Sequence, residues 1–235
     1  MTIETVFVSV SSYVLGRAMG ITQAVAAMHK EVAHGQTGLK IPALETIKRL
    51  RDLAGLELLL DSGSAHMAKN RSRQFSAAYV STCDAWISLD DDVELSTFTL
   101  RALLEALEGS EPRIIIVPCL IRRSSVVNVE FPKIYSLRRL PSGGECRRCN
   151  AGGFGAVGIN RMALEHIAAT CKTFVDDDGQ LKFAPFSEHF AGKIWLSEDL
   201  SFFASAPKTV MVEALLTGET CHDGQLLQLQ VVAEA

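Results

Sequence analysis

The chain has 235 residues, of which 48% are hydrophobic and 21% charged, with a formal net charge of −4. That is enough material for one large domain with its own core, and with aromatics at only 7% the core must be mostly aliphatic. No apolar run approaches the length of a bilayer span, and an acidic chain with evenly spread charge would be a poor partner for nucleic acid.

The first residues, MTIETVFVSVSS, lack a basic segment and carry only a short apolar run, so they read as an opening strand rather than a signal peptide. Together with six cysteines this places the protein in a reducing compartment, the cytoplasm, or a host cytoplasm if the source is viral.

Residues 5–10 form the first predicted strand. Ser11, Ser12, Tyr13 and Gly16 follow as a polar turn, and residues 19–32 carry helical periodicity. A second helix is expected over residues 42–54, opened by Pro42 and stopped by Gly55. A buried strand follows at 56–60 and a turn at 61–64. Residues 65–81 read as one helix whose polar face holds Lys69, Asn70, Arg71 and Arg73. Such a face serves either phosphates or solvent.

The stretch CDAWISLDDDVELS, residues 83–96, comes next. A short bulky run, Ala85 to Leu89, reads as a buried strand, and Asp90, Asp91 and Asp92 stand at its end. Three adjacent carboxylates repel one another, so either a hard divalent cation sits there or the triplet is a solvated turn. Strand ends of this kind are also where α/β sheets hold ligands. Ser96 is a good N-cap for a helix over Thr97–Leu107. Strands are expected at 114–117 and, near an edge, at 124–131.

From residue 122 to 149 the character changes. Arg122, Arg123, Lys133, Arg138, Arg139, Arg147 and Arg148 face only Glu130 and Glu145, a local charge of +5, so the rest of the chain carries −9. This segment is either a loose basic loop or a surface for a polyanion. Cys146 and Cys149 form a single CxxC. A zinc site would need Cys119, Cys171, His166 or His189 to complete four ligands.

Gly153, Gly155 and Gly158 spell GxGxxG, with Asp176 to Asp178 about twenty residues on. The context does not suit a dinucleotide fold, because the motif follows a Cys/Arg-rich loop rather than a first strand. The later acidic triplet reads as a hairpin turn. The glycines fit close backbone approach to a ligand better. A strand at 154–159 and a helix at 161–170 capped by Asn160 follow. Ser197 caps a last helix and puts Glu198 and Asp199 in its first turn, where two fixed carboxylates make a fair general base. A final strand at 209–216 leads to a polar turn with His222.

In this order the pieces resemble the GT-A fold glycosyltransferases, which use nucleotide-sugar donors. The resemblance rests on the first strand and its polar turn, Lys69-Asn70-Arg71, the DxD element Asp90–Asp92 after a hydrophobic strand, the glycine-rich 150–158, Glu198-Asp199 and His222. It implies a single α/β, Rossmann-like domain over residues 1–235, with a mostly parallel sheet flanked by helices and a basic, Cys-containing insert at 122–149. By the same resemblance Asp90, Asp92 and His222 would hold Mn2+ or Mg2+. Asp91 would approach the donor ribose or sugar. Ser9, Ser11, Tyr13, Asn70 and Arg71 would line the nucleotide pocket, and Gly152 and Gly153 would admit the sugar. Asp199, with Glu198 beside it, would be the catalytic base. The donor would be a UDP-sugar. No membrane anchor is expected, and the basic segment is unusual for the family. A small transferase with such a rim is similar to phage-type enzymes that glycosylate hydroxymethylated bases in DNA. Its arginines would then meet phosphates. The alternatives are transfer to a protein, lipid-linked or polysaccharide acceptor, and a sugar nucleotidyltransferase.

Overall fold

A computed structural model of the chain describes residues 2–12, 41–62, 66–121, 125–133 and 136–229. The predicted helix over 19–32, Tyr13, Arg122 and Arg123 lie outside the described residues. In chain order the elements are β1 (Thr5–Ser12), α1 (Ile41–Arg51), β2 (Gly55–Ser62), α2 (Met67–Val80), β3 (Ala85–Asp90), β4 (Val93–Leu95), α3 (Thr97–Leu107) and β5 (Arg113–Ile116). They continue with β6 (Val129–Glu130), β7 (Leu137–Arg139), β8 (Glu145–Arg148), β9 (Ala151–Gly152), β10 (Ala156–Asn160), α4 (Arg161–Ala168), β11 (Lys172–Val175) and β12 (Leu181–Ala184). The last are β13 (His189–Ala191), β14 (Ile194–Leu196), α5 (Glu198–Ser205), β15 (Met211–Leu215), β16 (Glu219–His222) and β17 (Gln225–Gln228).

Eight strands form the central sheet in the order β2-β1-β3-β10-β5-β15-β8-β7. Alternation along each strand divides the core in two. On β1, Val6, Val8 and Val10 pack with α1 and α3, while Phe7 faces the other way. On β3, Ala85, Ile87 and Leu89 join the first cluster and Trp86 the second, with α2, α4 and α5. The result is a three-layer α/β arrangement with helices on both faces.

The sheet is mixed rather than mostly parallel. β1 runs parallel to β2 and β3, and β5 to β15. β10 is antiparallel to both β3 and β5, and β8 is antiparallel to β15 and β7. The reason lies in the glycine-rich loop. It turns the chain back across the end of β3, so β10 enters the sheet against the direction of its neighbours.

The basic segment is not an insert set apart from the fold. Its described part supplies β7 and β8, which extend the central sheet beyond β15. Within it, Cys146 is buried in the cluster of α1 and α3, whereas Cys149 is buried in the opposite one. An odd spacing along an extended strand sends side chains to opposite faces. This CxxC therefore cannot form one end of a zinc site.

Helix starts follow the capping residues. The Ser96 hydroxyl accepts from the Thr99 amide at 3.1 Å, and the Asn160 side chain accepts from Ala163 at 3.0 Å. Ser197 accepts from Leu200 at 3.5 Å and fixes the start of α5. A narrower strand set holds the other end of the site. β16 pairs antiparallel with β4 and with β17. The turn between β16 and β17 uses Asp223 and Gly224 at positive φ, 50° and 79°.

Candidate functional site

The site lies at the carboxyl end of β3. Asp90 is the last residue of that strand, level with Ser11 on β1. Its amide donates to the Gly155 carbonyl at 2.8 Å, and the Asp91 amide donates to the Ser11 carbonyl at 3.1 Å. The triplet is thus tied to β1 on one side and to the glycine-rich loop on the other. It is not a solvated turn: Asp91 and Asp92 are buried, and Asp90 is half-buried.

Arg71 organises the centre. It lies on α2 with only 3% of its side chain exposed. One guanidinium nitrogen, Nη1, donates to Glu198 Oε1 at 2.9 Å and to Asp199 Oδ1, while Nη2 lies 3.5 Å from Asp90 Oδ1. The other Asp199 oxygen accepts from the Phe154 amide at 3.1 Å. The Phe154 ring in turn lies beneath the guanidinium, 5.2 Å from ring centre to Cζ. One helix, one loop and the first turn of α5 therefore converge on a single buried cation.

His222 approaches from β16. The Leu120 carbonyl, 2.6 Å from Nδ1, accepts the ring N–H there. Nε2 then faces Asp92 Oδ1 at 3.4 Å. The hydrogen bond to Asp92 pushes the imidazole pKa up, more than burial pulls it down. The amide of Asp223 donates to the Asp92 carbonyl at 3.1 Å, so the β16–β17 turn holds the triplet from outside.

Among the described residues, four acidic side chains, Asp90, Asp92, Glu198 and Asp199, meet one guanidinium and one imidazole. The imbalance is visible in their protonation. Asp199 is pushed up to about 6, chiefly by burial and by the charge of Glu198, with Arg71 opposing. Asp90 is also raised, by burial and then by Asp92, against the pull of Arg71. Carboxylates gathered this closely offer oxygens that a cation can bind.

The other anticipated residues are placed differently. Ser9 is fully buried, and its hydroxyl accepts from Trp86 Nε1 at 2.8 Å and donates to Gln74 Oε1 at 3.0 Å. Ser11 accepts from Gln74 Nε2 at 3.0 Å. Both serines are thus engaged beneath α2. Asn70 is buried on the same helix. Lys69 and Arg73 turn away from the site and pair with acidic partners at the surface. Arg73 makes two 2.6 Å bonds to Asp176, and Lys69 meets both Asp177 oxygens at 2.8 Å, at the β11–β12 turn.

Gly152 and Gly153 flank a pocket of about 330 Å3 that also exposes Asp199. Their lack of side chains has an internal cause. A Cβ on Gly153 would sit 2.6 Å from Asn128 Nδ2, and one on Gly152 would meet Ile116 Cδ1 at 2.9 Å. Gly158 is farther away and makes room for Leu107 and Leu103 of α3, at 2.7 and 3.0 Å. Internal packing thus accounts for glycine at these three positions, whereas a Cβ on Gly155 would meet only ordinary contacts, the nearest Val93 Cγ2 at 3.5 Å.

The basic segment contributes less free charge than its sequence suggests. Arg138 binds Glu213 through Nε and Nη2, at 3.1 and 2.6 Å, and also donates to the Ala106 carbonyl. Arg147 is buried, with Cζ 4.2 Å above the Phe131 ring. Of its described cations, Lys133, Arg139 and Arg148 are exposed.

Three participants were not anticipated. The Phe154 amide, the Leu120 carbonyl and Asn128 each position a site residue or its loop. Asn128 accepts from the Cys119 amide at 2.8 Å and from Gly153 through its own carbonyl at 2.8 Å. Two of these groups are backbone atoms, which carry no residue-type signal.

No family model and no curated protein sequence matches the chain. Among solved structures it is similar to A197 from STIV, with 15% identity, 96% of this chain and 94% of that chain covered, and a TM-score of 0.54. At that identity the likeness is one of fold. Slighter likenesses are to GalNAc-T7 crystallised with UDP, GalNAc and Mn2+ (11% identity, 94% of this chain, 44% of that one, TM-score 0.43). HddC from Yersinia pseudotuberculosis is at a similar distance (9% identity, 95% and 94% covered, TM-score 0.41). Among the described residues no helix is long and apolar enough to cross a membrane.

Proposed function

We propose that this chain is a GT-A type glycosyltransferase that moves a sugar from a nucleotide-sugar donor, a UDP-sugar in the first instance, to an acceptor hydroxyl. The observation that supports it most is the gathering of Asp90, Glu198 and Asp199 on buried Arg71, with Asp92 and His222 alongside, at the carboxyl end of β3.

A divalent cation suits the donor set. Asp90 and Asp92 offer carboxylate oxygens and His222 an imidazole nitrogen, a combination that favours Mn2+ or Mg2+. Asp90 is held above its ordinary value by burial and then by the charge of Asp92, and a bound cation would favour its ionised form. Among the described residues no three ligating side chains are already drawn together for an ion, and His222 faces Asp92 directly. These three are the residues that would hold it. When bound, the ion neutralises charge on the departing diphosphate.

The remaining work falls to the chain itself. Asp199 takes the proton of the acceptor hydroxyl. Its carboxylate is oriented from two sides, by Arg71 and by the Phe154 amide, and still borders the pocket. A pKa of about 6 leaves it mostly ionised at neutral pH yet basic enough to accept a proton. Glu198 shares Arg71 and keeps the guanidinium from neutralising Asp199 alone.

A donor-hydrolysis screen across nucleotide sugars, with and without manganese, tests the reading. Manganese-dependent release of the nucleoside diphosphate, lost in Asp92→Asn, supports it. Absence of nucleotide-sugar turnover and of binding by calorimetry would overturn it.

A further inference from the structure

The pocket beside Asp199 has a chemistry of its own. Its walls are aliphatic, from Ile121, Val127, Val129 and Leu200, and its floor is the bare backbone of Gly152 and Gly153. The charged groups in its lining are Asp199 and Glu130, both acidic, and no cation lines it among the described residues. Its volume of about 330 Å3 lies at the small end for organic ligands.

Two wall residues are unusually exposed for large aliphatics. Ile121 is 48% and Leu200 40% accessible. Val126, whose carbonyl accepts from the Ile121 amide at 2.8 Å, is 58% accessible beside them. Covering such surface is favourable in proportion to its area. Among the described residues, a phosphate in the same place would meet two carboxylates, and the nearest cation, Arg71, is already engaged by Asp199 and Glu198. Of the described arginines of the basic segment, Arg138 is committed to Glu213 and Arg147 lies over the Phe131 ring.

We infer that the acceptor is a compact, uncharged alcohol or phenol whose apolar body fills this pocket and whose hydroxyl points to Asp199. This rests on the glycosyltransferase reading above and departs from a polyanionic acceptor. In the transfer the hydroxyl gives its proton to Asp199. The acceptor oxygen bonds to the anomeric carbon, and the bond from that carbon to the nucleoside diphosphate breaks, the diphosphate leaving with the electron pair.

The test uses the full chain and two probes that both carry a hydroxyl, 2-phenylethanol and glycerol 3-phosphate. Binding is followed by ligand-observed NMR in the absence of donor, and transfer by product mass with the donor present. The expected result is that 2-phenylethanol binds and glycerol 3-phosphate does not. Leu200→Asp and Ile121→Asp should each weaken 2-phenylethanol binding at least about tenfold, by charging an apolar wall. The two substitutions lie on separate segments, so a folding failure in one leaves the other informative. Preferential binding of glycerol 3-phosphate, or 2-phenylethanol binding that neither substitution changes, would overturn the inference. Intact 2-phenylethanol binding without turnover of any nucleotide sugar would instead remove the glycosyltransferase reading and leave the pocket's preference standing.

Discussion

Arg71 on α2 and Asp199 at the start of α5 are joined by a hydrogen bond through Nη1, and the same nitrogen also serves Glu198. The pairing connects two helices on one side of the sheet to the end of its central strand, since Nη2 also faces Asp90.

Removing the cation should therefore be costly. Arg71→Met leaves buried carboxylates without their partner, and a loss of about 3–5 kcal/mol is expected from breaking such an arrangement. Arg71→Lys should fall between, because an ammonium cannot reproduce the planar fork. Urea denaturation midpoints of the three proteins check the order.

Asp199 gives a pH signature. Its ordinary value is 3.8 and its folded value about 6, so the folded state prefers the protonated carboxyl. The stability this group contributes is full below about pH 4 and is lost as pH rises through about 6, a change on the order of 2–3 kcal/mol for two pKa units. Asp199→Asn should flatten that part of the stability curve. Donor turnover should rise with pH through the same window, because Asp199 in its proposed role as base must be ionised. The variant should turn over at least about 100-fold more slowly. Denaturation at pH 4.5 and 6.5, with rate profiles over that range, separates the two effects.

Asp90, Asp92 and His222 make a third expectation. Manganese should raise the melting temperature of the wild-type chain, because an ion that binds the folded state stabilises it by mass action. Asp92→Asn should abolish the shift, and His222→Gln should reduce it. A manganese response in Asp92→Asn equal to that of wild type would remove the triplet from any metal role.

Gly158→Ala probes a purely internal position. The added methyl would stand 2.7 Å from Leu107 and 3.0 Å from Leu103. Overpacking of this kind costs about 1–3 kcal/mol. The loss should appear in thermal melts, with donor turnover per folded molecule unchanged.

Much of this architecture is written in local sequence. The short bulky run at residues 85–89, the caps Ser96, Asn160 and Ser197, and the turn at 176–179 all correspond to elements near the expected positions. What the sequence did not reveal depends on contacts between distant segments. The direction of β10 follows from how the glycine loop crosses β3, and no residue type encodes that. Arg71 carried a usable signal. Lys69 and Arg73 share one face of α2, whereas Arg71 projects from another, into the buried side with Asn70 and Gln74. Arg138 and Arg147 misled, because counting cations ignores Glu213, which comes from outside the segment, and the burial of Arg147 over the Phe131 ring within it.

The clamp of Lys69 and Arg73 on the β11–β12 turn acts as a strut on the outside of the helix that carries Arg71 within. Both ends of that strut touch solvent to some degree, and at about 1 M salt the screening length shrinks to about 3 Å. Concentrated salt should thus loosen the outer brace while sparing the inner grip. Ionic strength then becomes a dial on the seating of α2, one that can be turned without altering a single atom of the cleft.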